Sequence, residues 1–116
     1  MQQKLLQNIE SHVNMKRYIV QITSKALDDM DEIYNYIAME LMVPETAMEQ
    51  YNRIADAIEK LAFFPERVKI MESEPECYMG LRQIRIDNYS VFYIIRDNKV
   101  VVTRVLYGSS DIGKRL

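Results

Sequence analysis

The sequence predicts an α+β domain in which an antiparallel helical hairpin packs on one face of a twisted antiparallel sheet. Two successive apolar stripes of helical period run between residues 24 and 64, and the period changes to that of strands from Arg67 onward. Only three glycines and three prolines are present, so most of the 116 residues are free to form regular elements. That length suits one domain with one core, and 48% hydrophobic with 28% charged residues is a globular balance.

Residues 1–14 place Leu5, Ile9 and Val13 four apart, which suits a short helix. A second Met-Lys pair follows at Met15–Lys16, directly before a strand-like run. Residues 1–14 therefore read as an N-terminal extension, native or arising from the start site, and 15–116 as a single domain. Tyr18–Thr23 (YIVQIT) is β-branched and aromatic and alternates as a strand does. Ser24 offers an N-cap, and Asp28, Asp29, Asp31 and Glu32 crowd the first two turns of the helix that follows. Ala26, Met30, Ile33, Ile37 and Leu41 draw its apolar stripe, and it should end near Met42. Pro44 suits the first turn of a second helix with its stripe at Ala47, Tyr51, Ile54, Ile58 and Leu61, closed by Phe63, Phe64 and Pro65. The short connection makes the pair a hairpin. Val68–Glu72 reads as a further strand and Ser73–Glu76, around Pro75, as a loop. Leu81–Ile86, Tyr89–Ile95 and Val100–Tyr107 read as three strands joined by Asp87-Asn88 and Asp97-Asn98 turns. Gly108-Ser109-Ser110 breaks the last strand, and Asp111–Leu116 forms a tail.

Several function classes are excluded at this level. The single His12 argues against His-based catalysis and multi-His metal sites, and Cys77 alone cannot form an internal disulfide. No apolar stretch is long enough for a membrane span and none has signal-peptide anatomy, so a soluble cytoplasmic protein is expected. No Gly-rich phosphate loop, Ser-His-Asp set or zinc spacing occurs, and no cofactor or metal is expected. The net charge of −2 is unevenly spread: residues 24–66 carry −7 and residues 80–116 carry +4. Such a distribution gives a dipolar surface and suggests an anionic or acidic partner for the C-terminal half.

Taken in order, these pieces resemble the RelE/ParE superfamily of bacterial type II toxins, nearer its ParE-like branch. The resemblance rests on the opening YIVQIT, the helix pattern from Ala26 to Ile37, Pro44 and Ala47 opening a second helix that closes at Phe64-Pro65, and the block LRQIRIDNYSVFYIIRDNKVVVTRVLYG from Leu81 to Gly108. It implies a toxin that binds DNA gyrase and is neutralised by a cognate antitoxin wrapping the sheet and helices. Two alternatives accompany it: a ribosome-dependent mRNA endonuclease, or a degenerate toxin that only binds its antitoxin.

The ribonucleases of this superfamily cut mRNA without a metal, using clustered Lys, Arg and Tyr. Cations hold the scissile phosphate and stabilise its developing charge while another group moves protons. Here the positions that commonly carry those groups are mostly neutral: Ser90 follows Tyr89, Tyr107 precedes Gly108, and Ser109, Ser110 and Asp111 follow it. The catalytic candidates for an RNase are then Arg82, Arg85, Arg104 and Tyr107. For target binding they are Arg82, Arg104 and Tyr107. Arg82 shares a strand face with Ile84 and Ile86, and Arg85 with Gln83 and Asp87. Arg82 and Arg104 are either neighbours on the sheet face left open by the helices, or paired with the acidic helices or solvated. Tyr89, Tyr93 and Tyr107 either stack on bases or pack across strands.

Of the acids, Asp28, Asp29, Asp31 and Glu32 point to several sides of a helix, so dipole complementation and solubility are their expected role rather than metal binding. Accordingly Asp29→Ala should cost less than about 1 kcal/mol, against about 2–5 kcal/mol for truncating Ile33, Ile37, Ile54 or Ile58 to Ala. Arg82→Ala and Arg104→Ala are expected to leave the domain folded. Cys77 reads as a packed or idle thiol.

Overall fold

The computed structural model describes residues 17–108; the expected N-terminal helix, the break at Ser109-Ser110 and the tail from Asp111 lie outside them. Strand β1 spans Ile19–Ile22, helix α1 Ser24–Asn35, and helix α2 Pro44–Glu59. A four-residue helix α3 at Glu76–Met79 precedes the strands β2 (Arg82–Ile86), β3 (Tyr89–Arg96) and β4 (Lys99–Tyr107).

The four strands form one sheet in the order β1-β4-β3-β2. β2, β3 and β4 are an antiparallel meander, while β1 lies parallel to β4 with Ile19 beside Lys99 and Ile22 beside Val102. The sheet is therefore mixed, and three strands follow the helices. Asp87 and Asp97, the first residues of the two hairpin turns, take positive φ of 58° and 59°. Aspartate tolerates that region because its short side chain can bond locally. A bulge in β4 sets Arg104 opposite Phe92 but Val102 opposite Tyr93.

Helix α1 begins one residue earlier than the sequence suggested. Thr23 is its N-cap, accepting from the Ala26 N–H at 3.1 Å, and its own hydroxyl donates to the Thr103 carbonyl at 3.2 Å. The Thr23 N–H still bonds the Val102 carbonyl, so the last residue of the β1 ladder also caps the helix. The first turn of α1 holds no acid; Asp28, Asp29, Asp31 and Glu32 start only in the second. Beyond Asn35 the helix loosens into a π-helical turn, Tyr36–Glu40, in which the Leu41 N–H reaches back to the Tyr36 carbonyl. Met42 follows with φ 61°, and Pro44 opens α2.

The predicted stripes become the core. Ala26, Met30, Ile54, Ile58 and Leu61 pack on Val91, Tyr93, Val100, Val102 and Val105 of the sheet. Leu41, the last member of the first stripe, is exposed. The opposite sheet face carries a second cluster of Leu81, Phe92 and Leu106, with Met71 and Ile94 packed against it. Apolar residues on both faces explain why β3 reads as the continuous run VFYII rather than as an alternation.

The strand expected at Val68–Glu72 does not form. Phe64 turns left-handed at φ 52°, Pro65–Arg67 make a 3₁₀ turn, and the segment only bridges the sheet edge, Ile70 to Arg82 and the Met71 N–H to the Leu81 carbonyl. The Pro75 loop folds into α3, where the buried Glu76 accepts from Ser73 Oγ at 2.9 Å.

Candidate functional site

β1 runs out at Ile22, so beyond Val102 the edge of β4 needs another partner. Helix α1 supplies it. Asp29 Oδ2 accepts the Val105 N–H at 2.9 Å and Arg104 Nε at 2.7 Å, while Oδ1 accepts Arg104 NH2 at 2.9 Å. The side chains are 12% and 7% exposed for Arg104 and Asp29 respectively. A bidentate carboxylate thus closes a strand edge and holds the guanidinium, and its hydrogen bond drives the Arg104 pKa further above its ordinary value. Asp29 is therefore a buried partner of the sheet and not a solvated, dipole-balancing charge. Of the two roles open to Arg104, pairing with the acidic helix is the one observed.

The four arginine and tyrosine candidates do not converge. Arg82 lies opposite Tyr93 and shares its face with Ile84 and Ile86, which pack into the core under the helices. Its guanidinium donates to the Val68 carbonyl at 2.9 Å, and its Nε is buried with no hydrogen-bond partner among the described residues. Cross-strand pairing puts Arg104, opposite Phe92, on the other side of the sheet from Arg82, so the two are not neighbours on an open face. Arg85 is exposed on that other side, opposite Ser90. Ser90 is fully buried and accepts from Gln83 Nε2 at 2.8 Å.

Tyr107 is 75% exposed at the end of β4, with its ring edge-on to Tyr89 at 5.5 Å. Burial, with Tyr107 adjoining, pushes the Tyr89 phenol above its usual pKa. Tyr93 is a core residue, its hydroxyl donating to the Pro65 carbonyl at 2.8 Å, and burial raises its pKa as well.

Tyr107 and Tyr89 form one wall of a groove of about 780 Å³ whose other wall is Ile33, Tyr36, Ile37 and Leu41, with Asp29 and Glu32 also lining it. The π-helical turn and the left-handed Met42 make this end of the hairpin apolar and exposed: Met39 is 73%, Met42 79% and Leu41 53% exposed. Neither the groove nor the Asp29 lock is visible from periodicity alone. The π-turn displaces Leu41 from the stripe, and the partners of the lock lie 75 residues apart. From the middle of α2, Arg53 forks onto Asp87 at 2.6 and 3.0 Å and Gln50 joins at 2.9 Å, tying the helix to the β2–β3 turn. Among the described residues no group of His, Cys, Asp or Glu is placed to hold a metal ion, and no helix is long and apolar enough to cross a membrane.

Residues 20–112 match the family described as the ParE toxin of the type II toxin–antitoxin system parDE. The chain belongs to the ParE toxin family. No curated protein sequence matches it. Among solved structures, the chromosomal ParDE toxin–antitoxin system of P. aeruginosa superposes with a TM-score of 0.68 at 21% identity, covering 81% of this chain and 99% of that one. The toxin–antitoxin complex RelBE2 of Mycobacterium tuberculosis gives 0.55 at 24% identity, covering 78% and 91%. The ParE-family assignment and the shared α+β architecture make this chain a type II toxin of the RelE/ParE superfamily.

Proposed function

We propose that this ParE-family toxin arrests growth in the cytoplasm by binding DNA gyrase, and that a cognate antitoxin neutralises it through the groove between the helical hairpin and β3–β4. The observation that carries the first half is the dispersal of the cations. Arg82 faces the helices, Arg85 faces away, Arg104 is tied to Asp29, and a buried serine follows Tyr89. Phosphoryl chemistry on mRNA needs such groups converging on one phosphate, and losing two or three charge-assisted contacts slows it by several orders of magnitude. Stable binding to a protein target needs no such convergence.

The groove supports the second half. Large exposed apolar side chains concentrate there, Glu32, Glu40 and Glu45 lie on the same stretch of helix, turn and helix, and both superposed relatives come from toxin–antitoxin systems. The fitting antitoxin segment is amphipathic, with aliphatic anchors and basic flanks, and folds as it binds, burying well over ~1,000 Å². Purified toxin is expected to inhibit supercoiling by gyrase, and primer extension on mRNA from expressing cells is expected to show no codon-positioned cuts. Sharp cuts that vanish in Arg82→Ala would install the endonuclease reading instead. Toxin and antitoxin that separate at micromolar concentration would refute the groove assignment.

A further inference from the structure

We propose that the groove receives an arginine of the antitoxin, its guanidinium lying against the Tyr36 and Tyr107 rings and forked onto the Glu32 carboxylate. This rests on the antitoxin binding through the groove, and it names the side chain that enters. Helix α1 and strand β4 run side by side in the same sense, since Thr23 bonds Thr103 and Asp29 bonds Val105. The next turn of helix therefore carries Glu32 and Tyr36 along beside Tyr107, and all three line the groove with Tyr89. Glu32 and Tyr36, four residues apart, share one helix face. The Tyr89 phenol, which burial raises above its usual pKa, is raised further by Tyr107 and then Tyr36, so three phenols converge there.

The electrostatics select a cation. Asp29, the other carboxylate of the lining, is already engaged by Arg104 and the Val105 N–H. Glu32 has no hydrogen bond or salt bridge among the described residues, and neither have the Tyr36, Tyr89 and Tyr107 hydroxyls. Asp29 neutralises Arg104, so an incoming cation meets one uncompensated acid. Tyr107 and Tyr36 are 75% and 55% exposed, which leaves ring surface open to a ligand. A cation within about 6 Å of a ring centroid is drawn to the ring face. Arginine suits such a site better than lysine. Its guanidinium is planar, sheds water more readily, and meets a carboxylate through two parallel N–H bonds. Its methylenes have Ile33 and Ile37 to lie against on the same wall.

The test is a set of double-mutant cycles, read by calorimetric titration of the full-length toxin with its cognate antitoxin. Each antitoxin arginine is replaced in turn by methionine, against wild-type toxin and Glu32→Gln. Glu32, Leu41 and Tyr107 are all exposed, so their variants should fold. Glu32→Gln should weaken binding about tenfold or more, as the loss of a charge-assisted hydrogen bond implies. With one particular arginine replaced, Glu32→Gln should cost less than about twofold; with any other replaced, the full loss should persist. Tyr107→Leu should weaken binding about threefold or more, while Tyr107→Phe stays within about twofold. In NMR spectra of the complex, the tyrosine ring currents should move that arginine's Hδ signals upfield, and Tyr107→Leu should reduce the shift. Glu59→Gln removes the same charge at the C-terminal end of α2 and should leave affinity unchanged. An affinity untouched by Glu32→Gln, or the lack of any arginine coupled to it, overturns the proposal. Full rescue by lysine overturns the choice of arginine. Leu41→Asp separates this inference from the groove reading beneath it. Binding lost there but kept in Glu32→Gln removes the arginine alone, and binding kept in both removes the groove reading as well.

Discussion

Asp29 shows how much one carboxylate can hold. It satisfies a strand-edge N–H and both arms of a guanidinium while nearly excluded from water. Removing one partner of such a pair leaves the other charge buried and uncompensated, so Asp29→Ala should cost about 3–5 kcal/mol in urea unfolding, well above the 1 kcal/mol that a solvated helix acid implies. Arg104→Ala should cost a similar amount, and the double variant less than the two together, since each single change already breaks the pair. The exposed Arg53–Asp87 fork offers a contrast. Hydrogen bonds from Arg53 and then Gln50 lower the Asp87 pKa below 3.8, so its contribution is complete above the ordinary carboxylate pKa and disappears as pH falls through the lowered one. NMR titration of Arg53→Ala should find the Asp87 pKa moved back up. Sequence could nominate these residues but not pair them. Asp29 looks like its neighbours Asp28 and Asp31 until α1 is laid along β4, and only that contact separates a lock from a surface charge.

At the scale of elements, the two helices and the three-strand meander were legible because each repeats one period over several turns or residues. Ile54, at 1% exposure between sheet and hairpin, should cost about 2–5 kcal/mol on truncation to Ala, measured as a shift in urea midpoint at unchanged slope. The region from Phe64 to Gly80 was not legible. Its apolar residues Val68, Ile70 and Met71 have a strand's composition, yet the left-handed Phe64 and the 3₁₀ turn leave too little straight chain to pair beyond one bridge. The π-turn was equally hidden, since Tyr36–Glu40 keeps a helical composition while its hydrogen bonds lengthen by a residue. That one change decides which side chains reach the groove.

Across the whole molecule, charge asymmetry survives as composition, but folding redistributes it: the acid Asp29 neutralises the base Arg104, and Arg53 neutralises Asp87. The parallel seam between β1 and β4 is what joins the first part of the described chain to the last. Gln21 lies between Ile19 and Thr23, whose N–H groups bond Asn98 and Val102, so the Gln21 N–H also faces β4. Gln21→Pro should therefore cost about 3 kcal/mol or more, while Gln21→Ala, on an exposed side chain, should stay within ~0.5 kcal/mol by the same unfolding measurement.

That seam also sets a clock on synthesis. β1 leaves the ribosome early, but the strand it must lie against is not complete until Tyr107 has been added. At ~5–20 residues per second the delay is roughly four to eighteen seconds, during which Ile19, Val20 and Ile22 have no sheet to join. The groove cannot exist through that interval either, because Val105, Leu106 and Tyr107 of β4 line it. An antitoxin translated in the same interval can be waiting when the sheet closes.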